Sequence, residues 1–249
     1  MSTDSERSKI PVEDLASRCR AEMIPLTGKF SYFSTVPMAD EDLRQYLQDP
    51  IAAISAAITA VLPKIGVILA PYLERGNGKQ SELVSFERPP ETRLVLCSVS
   101  RSSPGVILAF GIRDVEVADY HYQFYAALAG LVAENWPAEV QERFCRALRE
   151  ELGSEMHGEV DEKSWHLKQA LLRRQSNARK ETKLFREYAQ RAFEDTLTLY
   201  LHGTCCDIDV ETGPRQMPGR YLRRRLELLM SIYPPPEGYA VLPEQLKGR

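Results

Sequence analysis

Hydrophobic and polar positions change period partway along the chain. Between residues 64 and 113 the apolar residues fall into four short, β-branched-rich runs, IGVILAPYLE, SELVSFE, TRLVLCSVS and GVILAFGIR, separated by GNGK, RPPE and RSSPG. That composition and punctuation predict four strands. Asn77-Gly78 can supply the positive φ of a tight hairpin, and Pro104-Gly105 fits the central pair of a type II turn. Connections this short join antiparallel neighbours, because a parallel crossover needs a dozen residues or more. The expected sheet is therefore a four-stranded antiparallel meander over about 64–113, with 65–73 paired to 81–87 and 93–100 paired to 105–112.

On either side the period becomes helical. Ahead of the strands it predicts helices over 12–22, 40–47 and 49–61, the last with Asp49 as N-cap, Pro50 in the first turn and a stop by Pro63. The segment LTGKFSYFSTVP reads as turn-like or extended. After Arg113 the helices follow at 119–135, 138–152, 161–174, 178–202 and 218–232. Strands first and helices afterwards define an α+β fold, with a mainly helical C-terminal half on the sheet. The organisation read from this pattern is a polar lead-in (1–38), a single domain (39–232) and a Pro-rich tail (233–249), on which Tyr239, Val241 and Leu242 can dock.

Composition narrows the classes without choosing one. The chain has 249 residues, 43% of them hydrophobic, enough to bury a core. Its 32 basic and 35 acidic residues leave a net charge of −3, so no global field draws it to nucleic acid or anionic lipid. The start is polar where a secretion signal needs an apolar stretch, and no apolar run has the length of a membrane span, which together predict a cytoplasmic protein. Five scattered cysteines read as thiols of a reducing compartment.

Candidate chemistry concentrates between residues 150 and 225. The segment EELGSEMHGEVDE (150–162) carries six acidic residues and His157 with no basic residue. It could offer oxygen and imidazole ligands to a divalent ion, or form a solvated loop whose last acids favour the amino end of the next helix. His166 lies four residues after Glu162, as a second ligand or as an ordinary contact along one helix face. In 178–202, Leu184, Phe185, Tyr188, Ala192, Phe193, Leu197 and Tyr200 make a core stripe, beside which Glu194, Thr198 and His202 follow at intervals of four. Glu194 and His202 are two turns apart, about 12 Å of rise, too far to share an ion without a partner segment. A divalent-metal site therefore requires the loop before Asp161 to bring His157 and His166 toward Glu194 and His202. Gly203 is placed to end this helix. Cys205 and Cys206 beyond it read as buried thiols rather than nucleophiles, because Asp207 and Asp209 would raise a thiol pKa.

Basic residues gather in 173–191, seven against two Glu, and again in 215–225. On the last helix Leu222, Leu226, Leu229 and Tyr233 form the apolar stripe and leave Arg220, Arg223 and Arg224 outside it, where they could take nucleic acid or a phosphorylated ligand. In DYHYQFY, His121 falls on an apolar face with Tyr125, which favours a satisfied core histidine over a catalytic base. Three function classes result. A non-enzymatic interaction or regulatory protein ranks first, because no recognisable catalytic string is present. A metal-dependent hydrolase using the acidic and histidine residues of 150–211 is second, and an anion or nucleic-acid binder using the arginine-rich helices is third.

Overall fold

KIGVILA and GVILAFG have apolar residues at consecutive positions, the pattern of strands covered on both faces. In the computed structural model, which describes residues 9–76, 82–102, 105–154, 156–173, 180–206 and 217–242, these runs are neighbouring central strands. The elements are β1 (Lys9–Pro11), α1 (Val12–Cys19), β2 (Ile24–Pro25), β3 (Phe30–Ser34), α2 (Asp40–Leu43), α3 (Asp49–Ala52), α4 (Ala56–Val61), β4 (Lys64–Ala70), β5 (Tyr72–Glu74), β6 (Leu83–Ser85), β7 (Leu94–Val95), β8 (Cys97–Ser102) and β9 (Gly105–Gly111). After them come α5 (Val117–Glu134), α6 (Ala138–Gly153), α7 (Glu162–Leu172), α8 (Lys183–Cys205) and α9 (Gly219–Ile232). The fold is α+β, with a four-stranded antiparallel sheet and a helical C-terminal half. It divides into two compact units, Met1–Ile51 with Leu62–Ala127, and Ala52–Val61 with Leu128–Arg249.

The first unit holds two sheets rather than one meander. The four-stranded antiparallel sheet has the order β1-β6-β5-β7 and recruits its edge from residues 9–11, outside the expected span. The second sheet has the order β2-β3-β4-β9-β8; β3, β4 and β9 run parallel, with antiparallel strands at both edges. The expected pairing of 93–100 with 105–112 is present as β8 against β9, but of the expected strand 65–73 only Tyr72 and Leu73 pair antiparallel with Ser85 and Val84, as β5 against β6. The expectation of antiparallel pairing throughout is corrected by β4, which lies parallel to both its neighbours. Pro71 divides the run into β4 and β5, one in each sheet, because proline cannot continue a hydrogen-bonded ladder. The missing neighbour is β3, inside the segment read as turn-like or extended. Asn77-Gly78 and Pro104 lie outside the described residues, although Ser102 does pair with Gly105 across the β8–β9 turn.

Side chains alternate between the two faces of the parallel strands. Val12, Leu15, Ala16 and Cys19 of α1 cover Ile68, Ala70, Ile107 and Ala109. On the other face Phe110 and Phe124 pack at 6.0 Å, and Phe30 and Phe124 at 6.3 Å. The expected helix over 40–47 widens after α2 into a π turn, in which the Asp49 N–H donates to the Arg44 carbonyl. One residue later the same pattern would need an N–H at position 50, which is proline. The Gln45 carbonyl is instead bonded by Nε2 of buried His121, at 2.8 Å, so His121 is the satisfied core histidine expected.

In the second unit the expected helix over 49–61 is interrupted. A new helix begins where the Ser55 hydroxyl accepts the Ile58 N–H at 3.2 Å. α8 buries the predicted stripe, including Phe185, Tyr188, Ala192, Phe193, Leu197 and Tyr200. Phe193 stacks obliquely on Trp136 at 4.5 Å and edge-on against Phe144 at 5.3 Å. Gly203 does not end α8; the helix continues to Cys205, with Thr204 donating to the Tyr200 carbonyl and the Cys206 N–H to that of His202. Asp161 and Thr182 cap α7 and α8 by accepting from Lys163 N–H and Phe185 N–H.

Candidate functional site

Two places collect charge, and they differ in whether that charge is buried. In the first unit a cleft of about 430 Å³ opens at the amino ends of the parallel strands. Three cations line it: Arg20 from the turn after α1, Lys29 from the turn before β3, and Lys64 at the start of β4. The lining residues include no Asp, Glu, His or Cys. Ala16, Met23, Gly66 and Ile107 give it an apolar side. A Cβ on Gly66 would stand 2.7 Å from Ile107 Cδ1 and 2.8 Å from Met23 Cε and Sδ, so Met23 lies directly over the bare backbone of β4. Lys29 is half-buried, and its Nζ is held in the wall by donating to the Leu62 carbonyl at 2.6 Å. Its remaining N–H bonds are available to a ligand.

Backbone donors around the cleft are largely consumed. The Thr27 hydroxyl accepts from Lys29 N–H and Phe30 N–H, at 3.2 and 3.1 Å, and the Phe30 carbonyl accepts from Leu26 N–H and Thr27 N–H. Ile65 N–H donates to the Lys29 carbonyl at 2.8 Å. Recognition of an anion therefore falls to the three side chains. Lone lysines at a loop and a strand start carry no sequence pattern, which is why the sequence reading missed this site.

In the second unit the charges are buried and mutually satisfied. Arg225 of α9 is fully buried; its Nε donates to Glu151 Oε1 at 3.0 Å, while Nη1 and Nη2 reach Glu159 at 2.8 and 2.9 Å. Tyr188 of α8 also donates to Glu159. Lys168 of α7 donates to the Gly158 carbonyl at 3.0 Å and lies 3.6 Å from Glu159. Gly158 takes φ of 83°, a left-handed conformation that turns its carbonyl and Glu159 inward. Burial alone would raise the Glu159 carboxyl, but Arg225, Lys168 and Tyr188 outweigh it and bring the pKa down to about 2. Burial lowers the Lys168 ammonium and raises the Tyr188 phenol. Two carboxylates balance one guanidinium and one ammonium, so the network, with Tyr188, joins five segments and leaves no charge for a substrate. The acidic stretch 150–162 is thus only partly the solvated loop it could have been: Glu151 and Glu159 are core residues.

A second cluster in this unit surrounds Arg191, which pairs with Glu194 and Asp195 at 2.9 Å each and lies 3.9 Å from Asp161. Burial raises the carboxyl of Glu194 and pushes that of Asp195 up to about 6, despite the attraction of Arg191.

The residues proposed from sequence are distributed as follows. His157 is exposed, and His166 lies 3.6 Å from Glu162 with both side chains exposed. Glu194 is engaged by Arg191, and His202 is half-buried on the last turns of α8. Among the described residues, no three of His157, His166, Glu194 and His202 bring ligand atoms within 4.8 Å of one another. Arg220 and Arg224 are exposed and Arg223 half-buried. Arg220 covers the Tyr221 ring at 4.9 Å and Arg224 pairs with Glu150, which reduces the charge this helix face offers. No disulfide joins the five cysteines, and burial raises the Cys97 and Cys145 thiols to about 12 and about 11. Cys206 is also raised, first by its hydrogen bond with Cys205 and then by burial. Asp207, Asp209, Glu211 and Arg215 lie outside the described residues. No described helix is long and apolar enough to cross a membrane.

The chain matches no protein-family model, no curated protein and no solved structure.

Proposed function

We propose that this is a non-enzymatic binding or regulatory protein whose first unit receives a small anionic ligand in the cleft lined by Arg20, Lys29 and Lys64. The single observation that carries this reading is a ligand-sized concavity with three cations and no carboxylate in its lining. Small-molecule sites span about 300–1,000 Å³ and combine an apolar lining with a few polar anchors, a description the cleft fits. No histidine, cysteine or carboxylate lines it to activate the hydroxyls of Thr27 and Ser31, which supports binding over chemistry.

The reading joins the interaction class to the anion-binding class but moves the anion site from α9 to the strand ends. The test is a thermal-shift and calorimetric panel of phosphate, citrate, AMP and octanoate. At least one should bind the wild-type protein. Binding should be lost in Arg20→Gln/Lys64→Gln and retained in Arg220→Gln/Arg223→Gln/Arg224→Gln. The reverse pattern would return the site to α9, and binding of none would end the proposal.

A metal-dependent reaction through His157, His166, Glu194 and His202 is the weaker alternative, since each lies with local partners or solvent in separate places. Stoichiometric zinc or manganese in gently purified protein, lost in a His157→Ala/His166→Ala variant, would restore it.

A further inference from the structure

We infer that β8 pairs with β8 of a second copy of this chain, antiparallel about a two-fold axis at Val99, so that the five-stranded sheet continues from one copy into the other. None of the residues lining the proposed cleft belongs to β8, so this surface does not rest on that reading. A sheet edge offers a row of outward backbone groups to any other strand, and folds usually blunt it by shortness, proline or charge. Among the described strands, three of the four edges are blunted: β1 has three residues and ends on Pro11, β2 has two and ends on Pro25, and β7 has two. The fourth is different. β8 has six residues, with no proline and no lysine, and its register against β9 runs from Cys97 to Ser102 without a bulge.

The phase of the hydrogen bonds decides which residues of β8 face outward. Gly111 N–H, at the end of β9, donates to the carbonyl of Leu96, just before β8, at 3.2 Å. Antiparallel ladders bond every second pair, which turns the N–H and C=O of Ser98 and Ser100 toward β9 and those of Cys97 and Val99 away from it. Side-chain cover stops at the same place. Val99 stands opposite Leu108, which is fully buried, yet is itself 49% exposed. The sequence of β8 selects a second copy as the strand that completes this edge. Ser98-Val99-Ser100 reads the same in both directions, so a two-fold axis at Val99 sets valine against valine and Ser98 against the other copy's Ser100. Each Val99 then exchanges both backbone bonds with its counterpart. This register also holds the two Arg101 residues at opposite ends of the paired strands, whereas an axis at Arg101 would oppose like charges.

The experiment is sedimentation velocity on the full chain across a concentration series, with amide hydrogen exchange at Val99 read at both ends of the series. Pairing along one edge strand buries little surface, so the dimer should form with a dissociation constant on the order of 10–100 µM, as small transient interfaces do. Val99→Lys places a charge on this edge and should weaken dimerisation at least about tenfold. Ile24→Lys, at a similarly exposed apolar residue on the β2 edge, should leave it unchanged. The Val99 amide of the unaltered protein should exchange more slowly at high concentration than at low, a readout that does not depend on any variant folding. Sedimentation as a monomer up to about 300 µM, beyond the expected range, would overturn the pairing. So would a dimer that survives Val99→Lys or leaves exchange at Val99 unchanged, since its interface would lie elsewhere. Growth beyond the dimer overturns it as well, because it requires a head-to-tail contact in place of a two-fold one.

Discussion

The cleft of the first unit and the buried network of the second are made from similar side chains with opposite outcomes. Arg225 and Lys168 sit where water is excluded, and two glutamates and a tyrosine meet them. Arg20, Lys29 and Lys64 line an open concavity with no carboxylate among its walls. A buried cation must be neutralised where it stands, because an uncompensated charge in the interior costs several kcal/mol. A solvated cation bears no such requirement, so Lys29 and Lys64 can also meet an external anion. Charge buried within the fold carries stability, and charge at a solvated opening can carry binding.

The largest effect should come from breaking the finished side. Arg225→Met preserves much of the volume but leaves Glu151 and Glu159 buried without their guanidinium. A loss of about 3–5 kcal/mol in urea unfolding is expected, the usual scale for removing one partner of a buried pair. A loss below about 1 kcal/mol would show that the network is not holding α6 and α9. The acid limb should change too. Glu159 is held at about 2 in the native state, below its ordinary 4.5, so its contribution is complete above about pH 4.5 and disappears as pH falls toward 2. In the variant that pull is weaker, and this part of the pH dependence should flatten.

A smaller effect of opposite sign is expected at Asp195. Its native pKa of about 6 lies above the ordinary 3.8, so the ionised carboxylate is a cost at neutral pH, relieved as pH falls from 6 toward 4. Asp195→Asn removes the charge and can still accept from Arg191. It should stabilise the protein at pH 7 by roughly 1–2 kcal/mol, with the gain vanishing near pH 4. Parallel stability curves for the two proteins across this range would show that Asp195 does not titrate where its burial implies.

How far the sequence reveals this arrangement depends on the range of the interactions involved. The helices of the C-terminal half are readable because their stripes repeat every three or four residues, and α8 buries the residues expected. Pairing of β8 with β9 is readable because a short turn joins them. The parallel core was hidden behind the same turn logic, although KIGVILA and GVILAFG, apolar at consecutive positions, carry the mark of strands covered on both faces. Pro71 was the cue that one run serves two sheets. Arg225 was one of several arginines on a basic helix, but its place beside Leu222, Leu226 and Leu229 on the buried face marked it as a core position requiring acidic partners. The cleft had no such mark, since Arg20, Lys29 and Lys64 come from separate elements that only the sheet register brings to one opening.

The smallest effects on stability should come from the cleft, and this is where the comparison is sharpest. Lys64→Gln alters an exposed side chain at the start of β4, so unfolding should change by less than about 0.5 kcal/mol. Gly66→Ala puts a methyl 2.7 Å from the tip of Ile107 and 2.8 Å from that of Met23. Both obstacles are ends of side chains and can rotate aside, and alanine also costs less strand entropy than glycine, so the net loss should stay below about 1 kcal/mol. The displaced Met23, however, must move within the lining of the cleft. Whichever anion of the phosphate, citrate, AMP and octanoate panel binds the wild-type protein should therefore bind Gly66→Ala more weakly, by a larger factor than the change in stability accounts for. If its affinity is unchanged, the floor beneath Met23 is packing for the sheet and not part of the binding surface.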